Sequence, residues 1–506
     1  MGQHTTTETQ KAFQGSPRVA VIGAGMSGIL MAIKLKEAGL ENFTVYEKAD
    51  TVGGTWRENT YPGIACDVPS HHYCYSFEPN PEWSRRFSPG SETKAYFERC
   101  AEKYGVLPHV RFNTTIERMT WEDGAWNIET QSAGHTEHTT ADIVVSAAGV
   151  LHCPAFPNIE GLDTFAGDAF HTARWNHDID LTGKRVGVIG TGSTAAQVVP
   201  AIVEKVAKLS LFQRTAQWVH PLPDKSYTAL GKALFRTIPL TMKGLYGFYY
   251  RALEKGFSEV VIGERSAEGL NARCQKNLET VADSTLRAKL TPDYQPGCKR
   301  LIFSSAFYPA MQKPNAELVT DRIDRIEPQG IRTADGQLHE LDVLVLSTGF
   351  KADRFLRPIE VKGQDGVDLN EIWERGPQAY RSVAVPGLPN FFMLIGPHSP
   401  IGNLSLIAIA EWQATYVMRC IDKIRRENVQ IMPTPEATTL LAEQMKEASQ
   451  KTVWVSGCKS WYLDADGQPA LYPWKPSRFH EEMTQPPMFA DFDVRPLKSN
   501  QVADAA

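Results

Sequence analysis

The chain has 506 residues, 42% of them hydrophobic and 22% charged; at roughly 150 residues per domain this is about three domains, or two large ones with insertions. Its 53 basic and 58 acidic residues leave a net charge of −5 with neither sign gathered into a block, which excludes a nucleic-acid-binding tract. The composition also excludes a disordered or fibrous chain, and no run of about 18 apolar residues is present to span a membrane.

In chain order, the opening MGQHTTTETQ lacks the basic, apolar, small-residue order of a secretory signal, and the expected location is cytoplasmic. Gly2 and Thr6 satisfy the short myristoylation pattern, which recurs by chance and is set aside. Arg18 to Ile22 then forms a β-branched run, followed by the turn Gly23-Ala24-Gly25-Met26-Ser27-Gly28, a helical stretch to Ala38, and a second strand-like run Phe43 to Tyr46 that ends in Glu47. Each glycine has a physical reason: Gly23 makes the tight turn, Gly25 lets a pyrophosphate approach the backbone, and Gly28 lets helix and strand pack closely. The helix amino terminus faces the phosphates. Glu47, 19 residues beyond Gly28, is placed to accept both hydroxyls of an adenosine ribose.

An internal repeat follows. Arg185 to Ile189 leads into Gly190-Thr191-Gly192-Ser193-Thr194-Ala195, a helix-like stretch, and the strand-like Leu209 to Phe212. Glu47 lies 24 residues after Gly23, and 24 residues after Gly190 stands Arg214. A carboxylate repels the 2′-phosphate of NADP, whereas Arg binds it bidentately, with Gln213 and Thr215 adding hydrogen bonds. Two such sites in one chain imply FAD in the first and NADPH in the second, the arrangement in which NADPH reduces a flavin. The endings DIVVSAAG (142–149) and DVLVLSTGF (342–350) are alike, so the duplication extends to the strand that returns each unit to its cofactor. The fold class is therefore α/β, with two Rossmann-like dinucleotide-binding domains.

The eight cysteines, at 66, 74, 100, 153, 274, 298, 420 and 458, include no C-x-x-C pair. They read as reduced core residues, which also argues against a flavin disulfide reductase. No metal site is expected.

After Glu47 come Gly53, Gly54, Thr55 and Trp56, then Tyr61, Pro62 and Gly63, then Asp67; between the two glycine turns stand Phe165, Gly167, His171, Trp175 and Asn176. These motifs resemble those of the type I Baeyer–Villiger monooxygenases, whose fingerprint is F-x-G-x-x-x-H-x-x-x-W followed usually by Pro or Asp. Asn176 departs from that last position. The related monooxygenases that oxidise nitrogen and sulfur usually carry another aromatic ring where Trp175 stands. The resemblance implies a reaction in which NADPH reduces FAD, O2 adds to the flavin C(4a) carbon, and the peroxide attacks an apolar ketone to give an ester or lactone, with sulfoxidation as a secondary activity. It identifies Arg300 as the catalytic cation, in Gly297-Cys298-Lys299-Arg300, with Lys299 turned toward the NADP phosphate. Asp67 would orient Arg300 over the flavin, and His171 would couple domain rotation to NADP binding. Trp461 is either a mobile-loop residue closing over NADP or a buried carboxy-terminal anchor.

The order of motifs implies nested domains: FAD-binding from 1–154, NADP-binding over 155–222, a helical insertion at 223–296, the NADP domain again over 297–375, and the FAD domain again over 376–506, with a disordered tail beyond Asn500. The insertion carries Phe235, Tyr246, Phe248, Tyr249, Tyr250 and Phe257 between charges, which reads as an amphipathic helical cap and leaves open a substrate channel or a peripheral membrane contact. Other outcomes consistent with the sequence are a nitrogen- or sulfur-oxidising monooxygenase, an NADPH oxidase and a flavin-binding redox sensor.

Overall fold

A computed structural model describes residues 16–400, 404–460, 462–464 and 466–497. Two five-stranded parallel sheets organise them. In the first, Val19–Ile22 lies between Phe43–Tyr46 and Ile143–Ser146, with Val110–Arg111 at one edge and Phe391–Met393 at the other. Val19–Ile22 and Ile143–Ser146 are buried at every residue, as expected of apolar runs in a parallel sheet covered on both faces. In the second, Arg185–Ile189 lies between Lys208–Phe212 and Val343–Leu346, with Ala316–Val319 and Asp168–His171 at the edges.

The two five-stranded sheets correspond strand for strand. In each unit, an antiparallel meander precedes the returning strand: Thr114–Glu122, Ala125–Ser132 and His135–Ala141 in the first, Ile323–Glu327, Gly330–Thr333 and Leu338–Glu340 in the second. The acid that opens each returning strand makes the same contacts. Asp142 accepts from the Arg18 backbone N–H at 2.7 Å and pairs with its guanidinium, and Asp342 does the same for Arg185, also at 2.7 Å. The units differ at one edge strand. Phe391–Met393 reaches the first sheet from the carboxy-terminal part of the chain, whereas Asp168–His171 enters the second sheet ahead of its own glycine turn. The expected end of the NADP domain at 375 is corrected: Glu360–Lys362 pairs with Thr114–Glu122 of the first unit, and Leu356, Val361, Leu369 and Trp373 pack in the first core, because this segment's apolar residues are covered there.

Between the strands of the second unit the chain forms the helices Ala229–Thr237, Leu240–Leu253, Glu268–Leu278 and Ser284–Lys289. Tyr246, Tyr250 and Phe257 pack against the core of the first unit, and Phe235 is buried edge-on against His71. Phe248 departs from this pattern, at 62% exposure. The Leu406–Glu427 helix, buried along Ile407 to Ala410, packs on the Met26–Glu37 helix and completes the first core. Among the described residues no helix is long and apolar enough to cross a membrane. The tail beyond Asn500 lies outside them.

Candidate active site

The first glycine turn has the shape of a phosphate cradle. Gly23 sits at φ +95°, where a Cβ would lie 2.9 Å from the Ala147 carbonyl oxygen, and a Cβ on Gly28 would lie 1.8 Å from the Gly23 carbonyl oxygen. Strand and helix thus approach as closely as only glycine allows. Gly25 precedes the Met26–Glu37 helix with no side-chain cap, so the first helical N–H groups are available to an anion. Gly54 folds back over this turn: a Cβ on it would lie 2.8 Å from the Gly25 Cα, and Gly53 donates its N–H to the Ala24 carbonyl. Glu47 is 5% exposed; one oxygen accepts from the Ala24 N–H at 2.8 Å, the other from the Ala49 N–H and from Arg57. A carboxylate has about four acceptor positions, so the oxygen on Ala24 retains room for a ribose hydroxyl. These features fit FAD.

The second turn repeats the geometry and adds positive charge. Gly190 sits at φ +109°, with the Ser347 carbonyl oxygen 2.3 Å from the position of a Cβ, while Gly192 faces open space ahead of the Ser193–Ile202 helix. Arg214 is exposed and, among the described residues, makes no ion pair. Lys299 stands near it, its Nζ 4.5 Å from the Tyr294 ring centroid. Burial lowers the Lys299 pKa, with Asp293 acting against the shift and Arg214 adding to it. Two neighbouring cations fit the 2′-phosphate of NADP. Thr215 offers its carbonyl to the Thr191 hydroxyl at 2.9 Å. Gln213, expected at this phosphate, is buried and donates its amide to the Lys289 carbonyl at 2.7 Å, tying the turn to the end of the helical insertion.

Arg300, the residue after Lys299, faces the other way. Its Nη2 donates to Asp67 Oδ2 at 2.7 Å, and the two side chains are 35% and 21% exposed. The Asp67 charge raises the guanidinium pKa above its ordinary range, so Arg300 is a cation at any working pH. Tyr462 lies beside it, its phenol pushed up to about 12 by burial while Arg300 opposes the shift. Trp56, on the short helix that follows Gly54, donates its indole N–H to the Tyr73 hydroxyl at 3.2 Å. Trp461 lies outside the described residues.

The fingerprint residues lie where the chain passes between units. Gly167 is required by contact: a Cβ would lie 2.3 Å from the Asp342 carbonyl oxygen. Phe165 packs in the apolar cluster of the second unit and Trp175 meets Phe170 edge-on. His171 is 1% exposed, accepts the Ala173 N–H on Nδ1, and has the Phe156 and Phe350 rings beside it. Burial lowers its pKa and keeps the imidazole neutral. Nearby, the Ala155 N–H donates to the Gly349 carbonyl, so His171 sits where the outgoing and returning chains touch.

One expectation is corrected. Cys298 and Cys458, read as reduced core thiols, form a disulfide that ties the Arg300 segment to the segment before Trp461. They are 160 residues apart, and no spacing rule joins cysteines that only the tertiary fold brings together. The other six cysteines carry free thiols.

Two contributors were missed by the motifs. Arg57 bridges Glu47 and Glu58, and its one sequence signal is adjacency to Trp56. Gln197 accepts from the Tyr61 hydroxyl and donates to the Ala65 carbonyl, and its own carbonyl oxygen would lie 2.4 Å from a Cβ on Gly63. That contact explains the glycine in the Tyr61-Pro62-Gly63 motif. Among the described residues no group of three or more His, Cys, Asp or Glu side chains is placed to hold a metal ion.

Two Rossmann-type units with a charged pair between their chain segments define a two-nucleotide monooxygenase fold. The family described as flavin-binding monooxygenase-like matches residues 16–229. A Baeyer–Villiger monooxygenase of Streptomyces coelicolor is 42% identical over 97% of this chain and 95% of its own length. An uncharacterized monooxygenase of Mycobacterium tuberculosis is 45% identical over 95% and 96%. The solved structure of OTEMO in complex with FAD and NADP superposes with a TM-score of 0.84 at 27% identity, covering 95% of this chain and 100% of that one. The chain belongs to the Baeyer–Villiger monooxygenase family of flavin-binding monooxygenases.

Proposed function

We propose that the protein uses NADPH and O2 to convert an apolar ketone to an ester or lactone in the cytoplasm, with sulfoxidation as a secondary activity. The observation that carries the reading is the Arg300–Asp67 pair: a fixed cation beside the first nucleotide unit, adjacent in sequence to the lysine of the second. When bound, FAD reduced by NADPH supplies activated oxygen, one atom of O2 entering the product and the other leaving as water. Arg300 stabilises the negative charge that develops on the ketone oxygen, a role suited to a guanidinium that stays ionised. Asp67 holds that guanidinium in place. Tyr462, buried beside Arg300, covers one side of the pair.

The remaining residues divide by cofactor. Gly23, Gly25, Gly28 and Glu47 hold FAD, with Gly54 and Trp56 covering its site. Gly190, Gly192, Ser193, Arg214, Thr215 and Lys299 hold NADPH, and Gln213 positions Arg214 by anchoring the turn. Phe165, Gly167, His171 and Trp175 form the joint on which the NADP unit, 155–222 with 297–350, moves against the FAD unit, 1–154 with 351–506.

The test is product analysis of the purified FAD-loaded protein with NADPH, O2 and a panel of apolar ketones and sulfides. Ester or lactone supports the reading. Sulfoxide alone, hydrogen peroxide alone, or no turnover each overturns it, in favour of a heteroatom oxygenase, an oxidase or a redox sensor respectively.

A further inference from the structure

The helical insertion carries a face that none of the described residues covers. Leu230, Leu234 and Ile238 follow one another at four-residue spacing, so they share one side of the Ala229–Thr237 helix and its end. They are 82%, 44% and 49% exposed, and Leu240 and Phe248 continue the surface at 72% and 62%. Five of the eleven large hydrophobic side chains exposed among the described residues therefore fall between positions 230 and 248. Such clustering marks an interaction surface, since isolated exposed apolar residues are ordinary.

Beside this apolar group runs a groove of about 770 Å³ with a cationic rim. Lys243, Arg251 and Lys255 line one wall at four- or eight-residue spacing, and Arg265 and Arg273 line the other. Arg265 pairs with Glu259 at 3.9 Å; Lys243, Arg251, Lys255 and Arg273 make no ion pair among the described residues. Gly244, Gly247, Gly256 and Gly269 line the groove, and a Cβ built on any of them meets nothing within 4 Å. Glycine inside a helix is destabilising, and no packing among the described residues offsets it here. Residues 229–256 carry five cations and one acid, Glu254, which is buried, in a chain of net charge −5.

We propose that this face docks on an anionic lipid bilayer. Leu230, Leu234, Ile238, Leu240 and Phe248 enter the headgroup region, and Lys243, Arg251, Lys255 and Arg273 meet lipid phosphates. Charge complementarity selects this occupant: unpaired cations flanking protruding aliphatic and aromatic side chains match an acidic interface, whereas lysine is depleted from protein–protein interfaces. The helices lie on the surface, and none of the described ones spans it. This goes beyond the proposed reaction and stands on different residues. It would hold the enzyme where apolar ketones accumulate.

The test is co-sedimentation of the full-length, FAD-loaded protein with vesicles of phosphatidylcholine alone or mixed with phosphatidylglycerol. The protein is expected to pellet with the mixed vesicles, to stay in solution with the neutral ones, and to be released by salt. Lys243→Glu with Arg251→Glu should lower the partition coefficient at least about thirtyfold, and Leu230→Ser with Phe248→Ser should also lower it. These positions are exposed, so circular dichroism and the rate with a soluble ketone should not change. Wild-type protein that ignores the anionic vesicles overturns the proposal, as does a charge-reversed variant that binds equally well. A wild-type dimer that Leu230→Ser with Phe248→Ser converts to a monomer without lipid also overturns it, by making the face a contact between copies.

Discussion

Arg300 and Asp67 are 233 positions apart in the chain and joined by a 2.7 Å hydrogen-bonded ion pair. The pair keeps a permanent cation next to the segment that begins at the Gly54 turn. Arg300→Ala should leave FAD bound and reducible by NADPH, because hydride transfer depends on cofactor stacking and needs no cation at that point. Ester formation should fall by at least about a hundredfold, the loss expected for one oxyanion donor, with a full charge contributing more. The reducing equivalents should appear as hydrogen peroxide. Asp67→Ala should do the same more mildly, since it acts through Arg300. Stopped-flow reduction beside ester yield checks both variants, and near-parental ester formation by Arg300→Ala would assign the cation elsewhere.

Arg214 and Lys299 should select NADPH over NADH. Arg214→Ala should raise the KM for NADPH far more than that for NADH; equal losses would show that Arg214 does not read the phosphate. The Lys299 shift adds a pH dependence. Burial and Arg214 favour its neutral form, so its folded pKa lies below the ordinary lysine value, and the charge that binds phosphate is lost as pH rises through that lowered pKa. NADPH affinity should therefore weaken at a lower pH than an unperturbed lysine would give. Lys299→Arg should move that loss to higher pH, which titration of KM for NADPH from neutral to alkaline pH would detect.

Local signals made the two units legible in the sequence. The equal spacing from Gly23 to Glu47 and from Gly190 to Arg214 survives in the structure as equivalent strands in two matching sheets. The paired acids Asp142 and Asp342 were visible as similar strand openings, although their partners Arg18 and Arg185 were not. What escaped was long-range. Gln213 looked like a phosphate ligand because its neighbour Arg214 does, yet the insertion brings the Lys289 carbonyl to it. Phe248 belongs to the same aromatic run as Tyr246 and Tyr250, yet it falls on the outer side of its helix while they pack against the first core. The Arg300–Asp67 pairing was accessible only through family resemblance, because neither residue carries a local signature.

The Cys298–Cys458 disulfide closes a loop of 160 residues, so its loop-entropy effect on the unfolded chain should stabilise the fold by up to about 5 kcal/mol. Cytosolic thiols reduce exposed disulfides, but both sulfurs belong to residues that are buried, at 0% and 8% exposure. Alkylation of the denatured, unreduced protein should label six cysteines, and eight after reduction. Cys298→Ser with Cys458→Ser should lower Tm by several degrees. Eight labelled thiols before reduction would show that the bond does not form.

Glu411 provides a stability prediction with a defined pH window. It is 8% exposed on the Leu406–Glu427 helix, and its Oε1 accepts from the Ser76 N–H at 2.9 Å and from the Ser76 hydroxyl. Burial raises its pKa to about 7, with the Ser76 hydrogen bonds and Lys34 only partly offsetting the shift. Below the unfolded pKa of about 4.5 the carboxyl is protonated in both states and imposes no penalty. As pH rises the unfolded chain ionises first, so stability is lost through that window and the loss saturates above about pH 7, at up to about 3 kcal/mol. Glu411→Gln keeps an oxygen that accepts from Ser76 and removes the ionisation. It should therefore raise Tm at pH 8 and change it little at pH 4. Thermal unfolding of both proteins across that range decides the matter, and a Tm difference that does not vary with pH would show that Glu411 is not the titrating group.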